Sequence, residues 1–475
     1  MDKQKREVRT LLEAYYPTED GRIPYRHFIN RMGFWMVTGS GKSLVLIKLI
    51  EILWRLMRRK EIPSHSILVL TACNDLLDQL KEHVEEFNAG RMDFRILLAD
   101  LKSYPDKLHN LFPIIGEHEL TVFFYRADNL SDEQKERIVD FRNYENNGRW
   151  YVLLDEAHKG DKEESKRQHI YSVLSRNGFL FNFSATFTDP RDILTTVYDF
   201  NLSEFVRAGY GKHIAILRQE NRAFKDKEDY TNEEKQRVVL KALLILAYVR
   251  KAWETVSPGI HAYHRPLLLT LVHTTNTQDA DLKLFFREVV RIGRGDVDEG
   301  VWQQARRELW LELAEGLEWV FEGERFKADR SLFDSITKKG LLRLVYNAPT
   351  PGGIEVLRRP SDRQEMAFKL KTTEQPFALI KIGDISRWLK EELEGYEVLE
   401  GFDDESFFRK LNEEDSPINI LMGSRTFYEG WDSNRPNVIT YINIGTGTEA
   451  KKFILQSVGR GVRILNPSRA SADAL

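Results

Sequence analysis

Short apolar segments alternate with longer segments of helical periodicity along most of the chain. Five β-type runs occupy the first part of the sequence: Phe34–Val37, Ile67–Thr71, Val122–Tyr125, Tyr151–Asp155 and Phe179–Ser184. Between them, segments such as Asp75–Phe87 repeat apolar residues at helical spacing. Because strands that alternate with helices form parallel sheets covered by helices, this pattern predicts an α/β domain that ends near residue 207.

A second series of apolar runs begins after residue 260. Its members are Leu267–Val272, Phe377–Ile382, Ile418–Met422 and Val438–Ile444. Residues 208–260 are first polar and then strongly helical, which predicts a connecting helical segment. The pattern therefore divides the chain into an N-terminal extension (1–30), a first domain (31–207), the connecting segment (208–260) and a second domain (261–475).

The second series is interrupted over about residues 285–375. Apolar residues at i, i+3, i+4 spacing predict a helix packed into the core: Trp302, Leu309, Trp310, Leu313, Leu317 and Val320. The segment LLRLVYNAPTPGGIEVLRR, residues 341–359, predicts a β-hairpin around its Pro/Gly turn. We interpret the region as a helical and β-hairpin insertion, with the hypothesis that it contacts the duplex or a partner. The alternative is that the arginines of this segment lie on a strand and are exposed to solvent.

The composition indicates an ordinary globular protein. Of the 475 residues, 42% are hydrophobic and 30% are charged, and a net charge of −3 excludes a global basic field for nucleic acid. Any polyanion must therefore bind a local patch or backbone amides. The single cysteine, Cys73, favours a reducing compartment, and the sequence has neither a signal peptide nor an apolar run of about 18 residues. We expect a cytoplasmic protein without a membrane span.

A phosphate-binding loop is predicted at Met36–Ser43, MVTGSGKS, between an apolar run and a helical segment. Gly39 and Gly41 let the backbone turn its N–H groups toward phosphate oxygens, and the following helix adds its positive N-terminal end. Lys42 is placed to reach the β- and γ-phosphates, and Ser43 to hold Mg²⁺. The predicted nucleotide contacts are Thr38, Gly39, Ser40, Gly41, Lys42 and Ser43. The alternative is a Gly-rich turn with a solvated lysine.

Two carboxylates follow a predicted strand in YVLLDEAH, residues 151–158. Because ligands of α/β sheets bind at the carboxyl ends of strands, Asp155 is placed to bind Mg²⁺ and Glu156 to orient or deprotonate an attacking water. An acidic turn is the alternative, which the preceding phosphate loop disfavours. Ser184 and Thr186, in FNFSATFTD, lie at the end of another predicted strand. They are candidate functional residues only because their segment follows the phosphate loop and the DEAH segment in the sequence.

A basic helix is predicted near the C-terminus, in ILQSVGRGVRI. The spacing i, i+4, i+7 places Gln456, Arg460 and Arg463 on one face, which can reach a γ-phosphate and stabilise charge in phosphoryl transfer. A basic surface helix is the alternative. Gly459 and Gly461 disfavour it, because glycine weakens helices.

The phosphate loop, DEAH, SAT and Q-x-x-G-R-x-x-R, in this order, resemble the motifs of superfamily 2 helicases and translocases. FWMVTGSGKS and GSRTFYEGWDSNRPNVI, the latter at 423–439, are most similar to the Res motor subunit of type III restriction enzymes and related DEAD/DEAH-box defence proteins. The resemblance covers about residues 30–465. It implies an α/β fold of two RecA-like parallel-sheet domains that flank one ATP, with ATP and Mg²⁺ as the cofactors.

The resemblance also implies roles for individual residues. The first domain supplies Lys42, Ser43, Asp155 and Glu156, and the second supplies Gln456, Arg460 and Arg463 as finger-type residues. Ser184 and Thr186 couple hydrolysis to domain movement, while Gly430 and Asp432 help to sense the nucleotide and the nucleic acid. Short segments at 71–74, 125–126, 273–275 and 424–425 match the nucleic-acid track, through Thr71, Asn74, Arg126, His273, Thr274 and Arg425. Each of these segments is equally well explained as a strand-to-loop turn.

Some features depart from the family pattern. Met36 replaces the first glycine of the loop, and PYRHFINRMGFW contains no clear adenine-reading glutamine. A type III Res subunit carries a nuclease after the motor, but here the chain stops shortly after Arg463, and Pro360–Lys369 is too compact for a nuclease motif. We expect either the motor part of a longer protein, which the abrupt end NPSRASADAL favours, or a motor that works with separate subunits.

The sequence therefore predicts an ATP-dependent DNA translocase or helicase motor of a prokaryotic defence system, with a modification or specificity subunit or a nuclease as partner. An RNA helicase or remodeller is the first alternative, and a requirement for the 2′-OH would identify it. A nucleotide-gated clamp without productive movement is the second. Intact Lys42, Asp155, Glu156 and both arginines disfavour the clamp, and the late arginine helix and the placement of DEAH disfavour a P-loop kinase.

Overall fold

Two seven-stranded sheets organise the computed structural model of the chain. It describes residues 18–22, 29–72, 74–104, 115–131, 138–156, 166–187, 190–217, 231–256, 264–272, 280–315, 318–319, 327–359, 362–400, 406–424, 433–444 and 448–462. The chain divides into two units, Met1–Phe205 and Val206–Leu475, each of which contains one of the two sheets. The predicted α/β class is confirmed, with two sheets of mostly parallel strands and helices between them.

The first sheet is entirely parallel, in the order β3-β4-β2-β7-β8-β1-β9. The strands of the first unit are β1 Arg31–Met36, β2 Ser66–Thr71, β3 Arg95–Asp100, β4 Glu119–Arg126, β5 Leu130–Ser131, β6 Val139–Asp140, β7 Trp150–Asp155, β8 Phe179–Ser184 and β9 Thr196–Phe200. The helices, the last of which ends in the second unit, are α1 Lys42–Arg58, α2 Asn74–Asn88, α3 Lys166–Leu174, α4 Pro190–Leu194 and α5 Leu202–Arg207.

The central strand β7 shows why these runs are continuously apolar. Val152 and Leu154 pack in the cluster that contains residues of α3, whereas Tyr151 and Leu153 pack in the cluster that contains residues of α1. Successive side chains of a strand point to opposite faces, so a strand covered by helices on both sides needs apolar residues at every position. The strands predicted for this unit are all present, and the parallel order follows from the helices between them.

The second sheet has the order β16-β13-β14-β15-β17-β11-β18, with β14 antiparallel to both of its neighbours. The strands of this unit are β10 Ala215–Ile216, β11 Leu267–Val272, β12 Glu318–Trp319, β13 Ile354–Arg358, β14 Glu365–Leu370, β15 Ala378–Lys381, β16 Glu397–Glu400, β17 Ile420–Ser424 and β18 Pro436–Ile442. The α-helices are α6 Asn232–Val256, α7 Asp281–Arg294, α8 Glu299–Glu315, α9 Arg330–Asp334, α10 Lys338–Tyr346 and α11 Thr448–Gly461. The four strands predicted from the second apolar series are all present.

The hairpin predicted at 341–359 is wrong, because its first arm is the helix α10. Thr337 caps this helix by accepting the N–H of Gly340 at 3.0 Å, and Asn347 ends it in the left-handed conformation with φ 55°. The apolar residues Leu341, Leu342, Leu344 and Val345 are all buried, as one helix face packed on the core requires. The antiparallel pair of this region is instead β13 with β14, and both strands extend the main sheet.

The apolar stripe that begins at Trp302 belongs to the core, as predicted. Trp302, Leu309 and Leu313 are buried in the largest apolar cluster of the second unit, together with residues of α6 and α7. The helix ends at Glu315, and Leu317 and Val320 lie outside the described residues. Among the residues that the structure describes, no helix has the length and the apolar character needed to cross a membrane.

Candidate nucleotide-binding site

The predicted phosphate loop joins the carboxyl end of β1 to the start of α1. Gly39 and Gly41 have φ values of 84° and 88°, a left-handed conformation that favours glycine. The backbone N–H of Ser40 donates to the Val37 carbonyl at 3.1 Å, and the Ser40 hydroxyl donates to the same oxygen at 2.7 Å. These turns bring the chain directly into the first turn of α1.

The N-terminus of α1 has no side-chain cap. Gly41 is the N-cap residue, and the first turn contains no acidic residue. The first N–H groups of a helix lack partners within the helix and carry part of its positive dipole end. An uncapped end that follows a left-handed glycine loop can therefore receive a phosphate group.

Lys42 lies between two carboxylates at the carboxyl end of β7. Its Nζ is 2.8 Å from Oδ1 of Asp155 and donates a hydrogen bond to Oε1 of Glu156. The Lys42 and Asp155 side chains are 9% and 11% exposed, so water screens this pair weakly. Glu156 has φ 63°, a left-handed conformation that is uncommon outside glycine and that turns the chain out of the strand.

The two carboxylates keep Lys42 charged. Burial opposes its positive charge, but the attraction of Asp155 and Glu156 outweighs burial and raises the pKa of Lys42 above its usual range. Burial also raises the pKa of Asp155, an effect that the charge of Lys42 opposes. A phosphate that arrives at the loop therefore meets an ammonium that is already protonated and held beside the acidic pair.

The residues at this site fit Mg²⁺. Oδ1 of Asp155 is buried and lies 2.8 Å from Lys42 Nζ, so this oxygen can bind a cation once the lysine moves toward a phosphate. Mg²⁺ prefers oxygen ligands, keeps several waters, and in phosphate-transfer sites needs only one or two protein oxygens. Asp155 and the hydroxyl of Ser43 would supply them. Among the described residues, no three His, Cys, Asp or Glu side chains are grouped so that they could hold a metal ion.

The SAT segment lies beside this acidic pair. Asp155 pairs with Phe183 across the β7–β8 ladder, and Ser184 follows at the carboxyl end of β8. Ser184 is buried and its Oγ accepts the backbone N–H of Thr186 at 3.0 Å. The Trp35 indole N–H donates to the Ala185 carbonyl at 3.0 Å and fixes the turn against β1.

Three of the predicted nucleic-acid residues come together at the same edge of the sheet. Thr71 and Arg126 end the neighbouring strands β2 and β4, and they face each other in the register of the ladder. Arg126 Nη1 donates to the Asn74 side-chain oxygen at 3.2 Å. Asp128 binds the same guanidinium through two hydrogen bonds, of 3.0 and 2.5 Å, and sequence reasoning missed it although it stands only two positions away.

Several predicted site residues lie outside the described residues, namely His273, Thr274, Arg425, Gly430, Asp432 and Arg463. The structure places Gln456 and Arg460 in α11, one turn apart, with both residues partly buried.

Lys212, which is not among the predicted site residues, forms hydrogen bonds at the end of α11. Lys212 Nζ donates to the carbonyl oxygens of Asn434, Pro436 and Gly461 at 2.8, 3.0 and 3.1 Å. The backbone N–H of Lys212 donates to the carbonyl oxygen of Val462 at 2.6 Å. Burial lowers its pKa to about 7. Lys212 thus connects the end of the Arg460 helix to the start of β18, and a lone lysine in GYGKH gives no sequence signal of this.

Comparison with known proteins agrees with the predicted resemblance. Residues 1–189 match the family described as "Type III restriction enzyme, res subunit". No curated protein matches the chain. Among solved structures, a Dbp5 variant of S. cerevisiae bound to RNA and ADP BeF3 is similar at 11% identity and a TM-score of 0.35, over 91% of this chain and 75% of that one. The family match covers the phosphate-binding loop and both carboxylates.

Proposed function

We propose that this chain, a helicase-type nucleic-acid-dependent ATPase with Res-like residues 1–189, couples ATP hydrolysis to movement on DNA. The observation that carries the proposal is the contact of Lys42 with Asp155 and Glu156 beside the uncapped start of α1. It joins a phosphate-binding loop, a charged lysine and two carboxylates at one strand edge. P-loop NTPases, which transfer phosphoryl groups, use a phosphate-binding loop with its lysine and an acidic residue that holds Mg²⁺.

In the proposed reaction, the loop amides and Lys42 bind the β- and γ-phosphates of ATP. Lys42 moves from the carboxylates toward the phosphates, where its charge stabilises the negative charge that develops in the transition state. Glu156, released from Lys42, orients the attacking water and accepts its proton. Asp155 and Ser43 would hold Mg²⁺, which would neutralise phosphate charge.

For the second unit, we propose that Gln456, Arg460 and Arg463 contact the γ-phosphate as finger-type residues. The support is the single helix face that Gln456 and Arg460 share, with Lys212 holding the end of that helix. Ser184 and Thr186 would couple hydrolysis to movement of the domains. Gly430 and Asp432 would take part in sensing the nucleotide.

We further propose that nucleic acid runs along the carboxyl edges of the two sheets. The residues assigned to this track are Thr71, Asn74, Arg126, His273, Thr274 and Arg425. The support in the first unit is the junction of Thr71, Asn74 and Arg126 at neighbouring strand ends. Contacts to phosphates fix position and not sequence, so we expect movement without sequence choice. A cytoplasmic defence role against foreign DNA, with a modification or specificity subunit or a nuclease as partner, completes the proposal.

Steady-state ATP hydrolysis tests the proposal, measured without nucleic acid and with duplex DNA, single-stranded DNA and RNA. The matched variant is Glu156→Gln, which keeps the size of the side chain and removes its basicity. We expect strong stimulation by DNA in the wild type and none in the variant. Stimulation by RNA alone would replace DNA with RNA as the substrate. Nucleotide binding without stimulation of hydrolysis by any nucleic acid would contradict the proposed motor function and favour the nucleotide-gated clamp.

A further inference from the structure

Arg250, in α6, is a buried cation that the motor chemistry does not use. It is only 3% exposed. Its Nε and Nη1 atoms are buried and make no hydrogen bond with any residue that the structure describes. A buried guanidinium without a counter-charge is strongly disfavoured, so such groups occur where an anion neutralises them.

Two further arginines stand close to Arg250 at the amino edge of the second sheet, which we define as the ends where β11 and β18 begin. Arg265 precedes β11 and Arg435 precedes β18, and these two strands are neighbours in which Leu267 pairs with Pro436. Burial, followed by the charges of Arg265 and Arg435, lowers the pKa of Arg250 to about 8. The surroundings therefore add positive charge to a group that already lacks a partner.

The neighbouring groups do not supply the missing anion. Arg435 is itself fully buried, and its guanidinium donates to the backbone carbonyls of Leu411, Ile418 and Arg265 at 2.7, 2.6 and 3.0 Å. These oxygens satisfy its hydrogen bonds, but they carry no net charge. Arg435 therefore contributes a fixed positive charge to the amino edge.

The nearest carboxylate on the same helix is already engaged. Glu254 accepts two parallel hydrogen bonds from Arg343, at 3.1 and 3.0 Å, in the bidentate geometry typical of a strong pair. With the residues that the structure describes, Arg265 forms two long hydrogen bonds, of 3.4 Å to the Ser416 carbonyl and 3.3 Å to the Asn347 side chain. Both Arg250 and Arg265 therefore retain the capacity to bind an oxyanion.

We propose that Arg250 and Arg265 form a binding site for a small oxyanion of the phosphate type at the amino edge of the second sheet. A planar guanidinium presents paired N–H groups that match two oxygens of a phosphate. The site is distinct from the proposed track, because the track residues His273 and Arg425 follow the opposite, carboxyl ends of β11 and β17. It is also independent of the proposed ATPase function.

The test measures the thermal midpoint of unfolding in inorganic phosphate and in chloride at equal ionic strength. The proteins are the wild type, Arg250→Met and the control Arg237→Met, which lies on the same helix but loses an arginine that is paired with Glu308. Binding to the folded state raises the midpoint with ligand concentration. We expect a phosphate-specific rise in the wild type and in Arg237→Met that is reduced or absent in Arg250→Met. Any phosphate bound at the loop contributes equally to all three proteins and cancels.

In chloride, we expect Arg250→Met to unfold at a higher temperature than the wild type, because methionine removes a buried, unpaired charge. A lower midpoint in chloride together with an unchanged phosphate response would show that Arg250 is structural and would overturn the proposal. If Arg250→Met does not fold, the unfolding midpoint of the wild type is compared in phosphate and in chloride with saturating Mg-ADP, which occupies the phosphate-binding loop. No remaining phosphate-specific rise under these conditions also overturns the proposal.

A second arm identifies the source of the phosphate group, using a short duplex oligonucleotide without terminal phosphates in place of inorganic phosphate. A response that depends on Arg250 with inorganic phosphate but not with the duplex assigns a free oxyanion to the site. A response that depends on Arg250 with both assigns a backbone phosphate.

Discussion

Lys42 Nζ lies 2.8 Å from Oδ1 of Asp155, and both side chains are largely buried. The two residues are far apart in the sequence, one at the start of α1 and the other at the end of β7. Each charge neutralises the other in this contact. A nucleotide must therefore compete for Lys42 with the carboxylates that the reaction later uses.

Removal of Lys42 should destabilise the first unit in a pH-dependent way. In Lys42→Ala, the buried carboxylates Asp155 and Glu156 lose their cation, and breaking such a buried pair costs about 3–5 kcal/mol when the remaining groups are charged. Burial already raises the pKa of Asp155, and loss of Lys42 raises it further. A carboxyl group whose pKa is higher in the folded state binds its proton more tightly there. It therefore favours folding at low pH and loses this contribution as the pH rises through the folded pKa.

The measurement is the free energy of unfolding in urea at pH 5 and at pH 8. We expect the deficit of Lys42→Ala to be larger at pH 8. Lys48→Ala is the control on the same helix, since Glu51 keeps Arg55 and Arg91 as partners when Lys48 is lost. An equal deficit at both pH values would contradict the charge argument, and ATP hydrolysis should be lost in Lys42→Ala alone.

The left-handed turn at Gly41 should not tolerate a side chain. A Cβ at this position would meet no atom within 4 Å, so the cost of Gly41→Ala comes from its φ of 88° and not from a clash. This conformation costs about 1–2 kcal/mol in a residue with a Cβ. Relaxation toward negative φ would also turn the loop amides away from a phosphate.

We expect Gly41→Ala to lower both the free energy of unfolding and the affinity for ATP, as measured by urea denaturation and by titration calorimetry. Gly340→Ala is the matched control in α10, because it has helical φ and its Cβ would lie 3.5 Å from Thr337 Oγ1, an ordinary contact. That change should be neutral or stabilise by about 0.5–1 kcal/mol. Equal behaviour of the two variants would show that the loop conformation is not required.

In the first sheet, the apolar runs of the sequence predict the five inner strands but neither of the edge strands β3 and β9. Every residue of β7 is buried, whereas β3 and β9 contain several exposed residues and resemble loops in the sequence. The Pro/Gly turn of the segment 341–359 predicts a hairpin, but Thr337 caps a helix that begins ahead of that turn. A local pattern cannot show which of the two signals the packing will favour.

The part of the candidate site that lies in the first unit was predictable because each of its motifs is contiguous in the sequence. Gly39 to Ser43, and Asp155 with Glu156, each occupy one turn whose chemistry can be read locally. The amino edge of the second sheet was not predictable, since Lys212, Arg250 and Arg435 are far apart in the sequence and meet only through β11 and β18. Each of them alone looks like a solvated surface charge.

Loss of the Lys212 side chain should weaken the position of the Arg460 helix. Lys212→Met leaves the carbonyls of Asn434, Pro436 and Gly461 without their common donor, and each buried group left unsatisfied costs about 1–3 kcal/mol. If Arg460 acts on the γ-phosphate as we propose, the turnover number should fall more than the affinity for ATP. Lys212→Arg, which keeps the positive charge and its donors, should recover part of the turnover.

The measurement is kcat and KM for ATP, together with the unfolding midpoint. Lys390→Met, at an exposed position in the same unit, is the control for loss of a charge. A rise in KM with unchanged kcat would assign Lys212 to general stability. Because burial lowers the pKa of Lys212 to about 7, its positive charge opposes folding below that value. Wild-type stability should gain from this group as the pH rises from 7 toward 10, and Lys212→Met should lack that gain.

Arg126 provides the most direct test of the proposed nucleic-acid track. Its guanidinium ends β4 beside Asn74 and is held by Asp128, so it is oriented before any ligand arrives. A phosphate contact contributes affinity that does not depend on sequence, and it releases about one counterion. Arg126→Met should therefore weaken DNA binding by a similar factor for unrelated sequences. It should also reduce the slope of log affinity against log salt by about 1.

Fluorescence anisotropy over a salt series measures both effects. Arg142→Met is the matched control, because Arg142 also pairs with an aspartate two positions away, Asp140, but lies in the turn before β7 and outside the proposed track. We expect its salt slope to equal that of the wild type. An unchanged slope in Arg126→Met would remove Arg126 from the track and leave the Asn74 and Asp128 contacts as a purely structural junction between β4 and α2. A loss confined to one DNA sequence would instead make Arg126 a base-reading residue, contrary to the movement without sequence choice that the proposed motor requires.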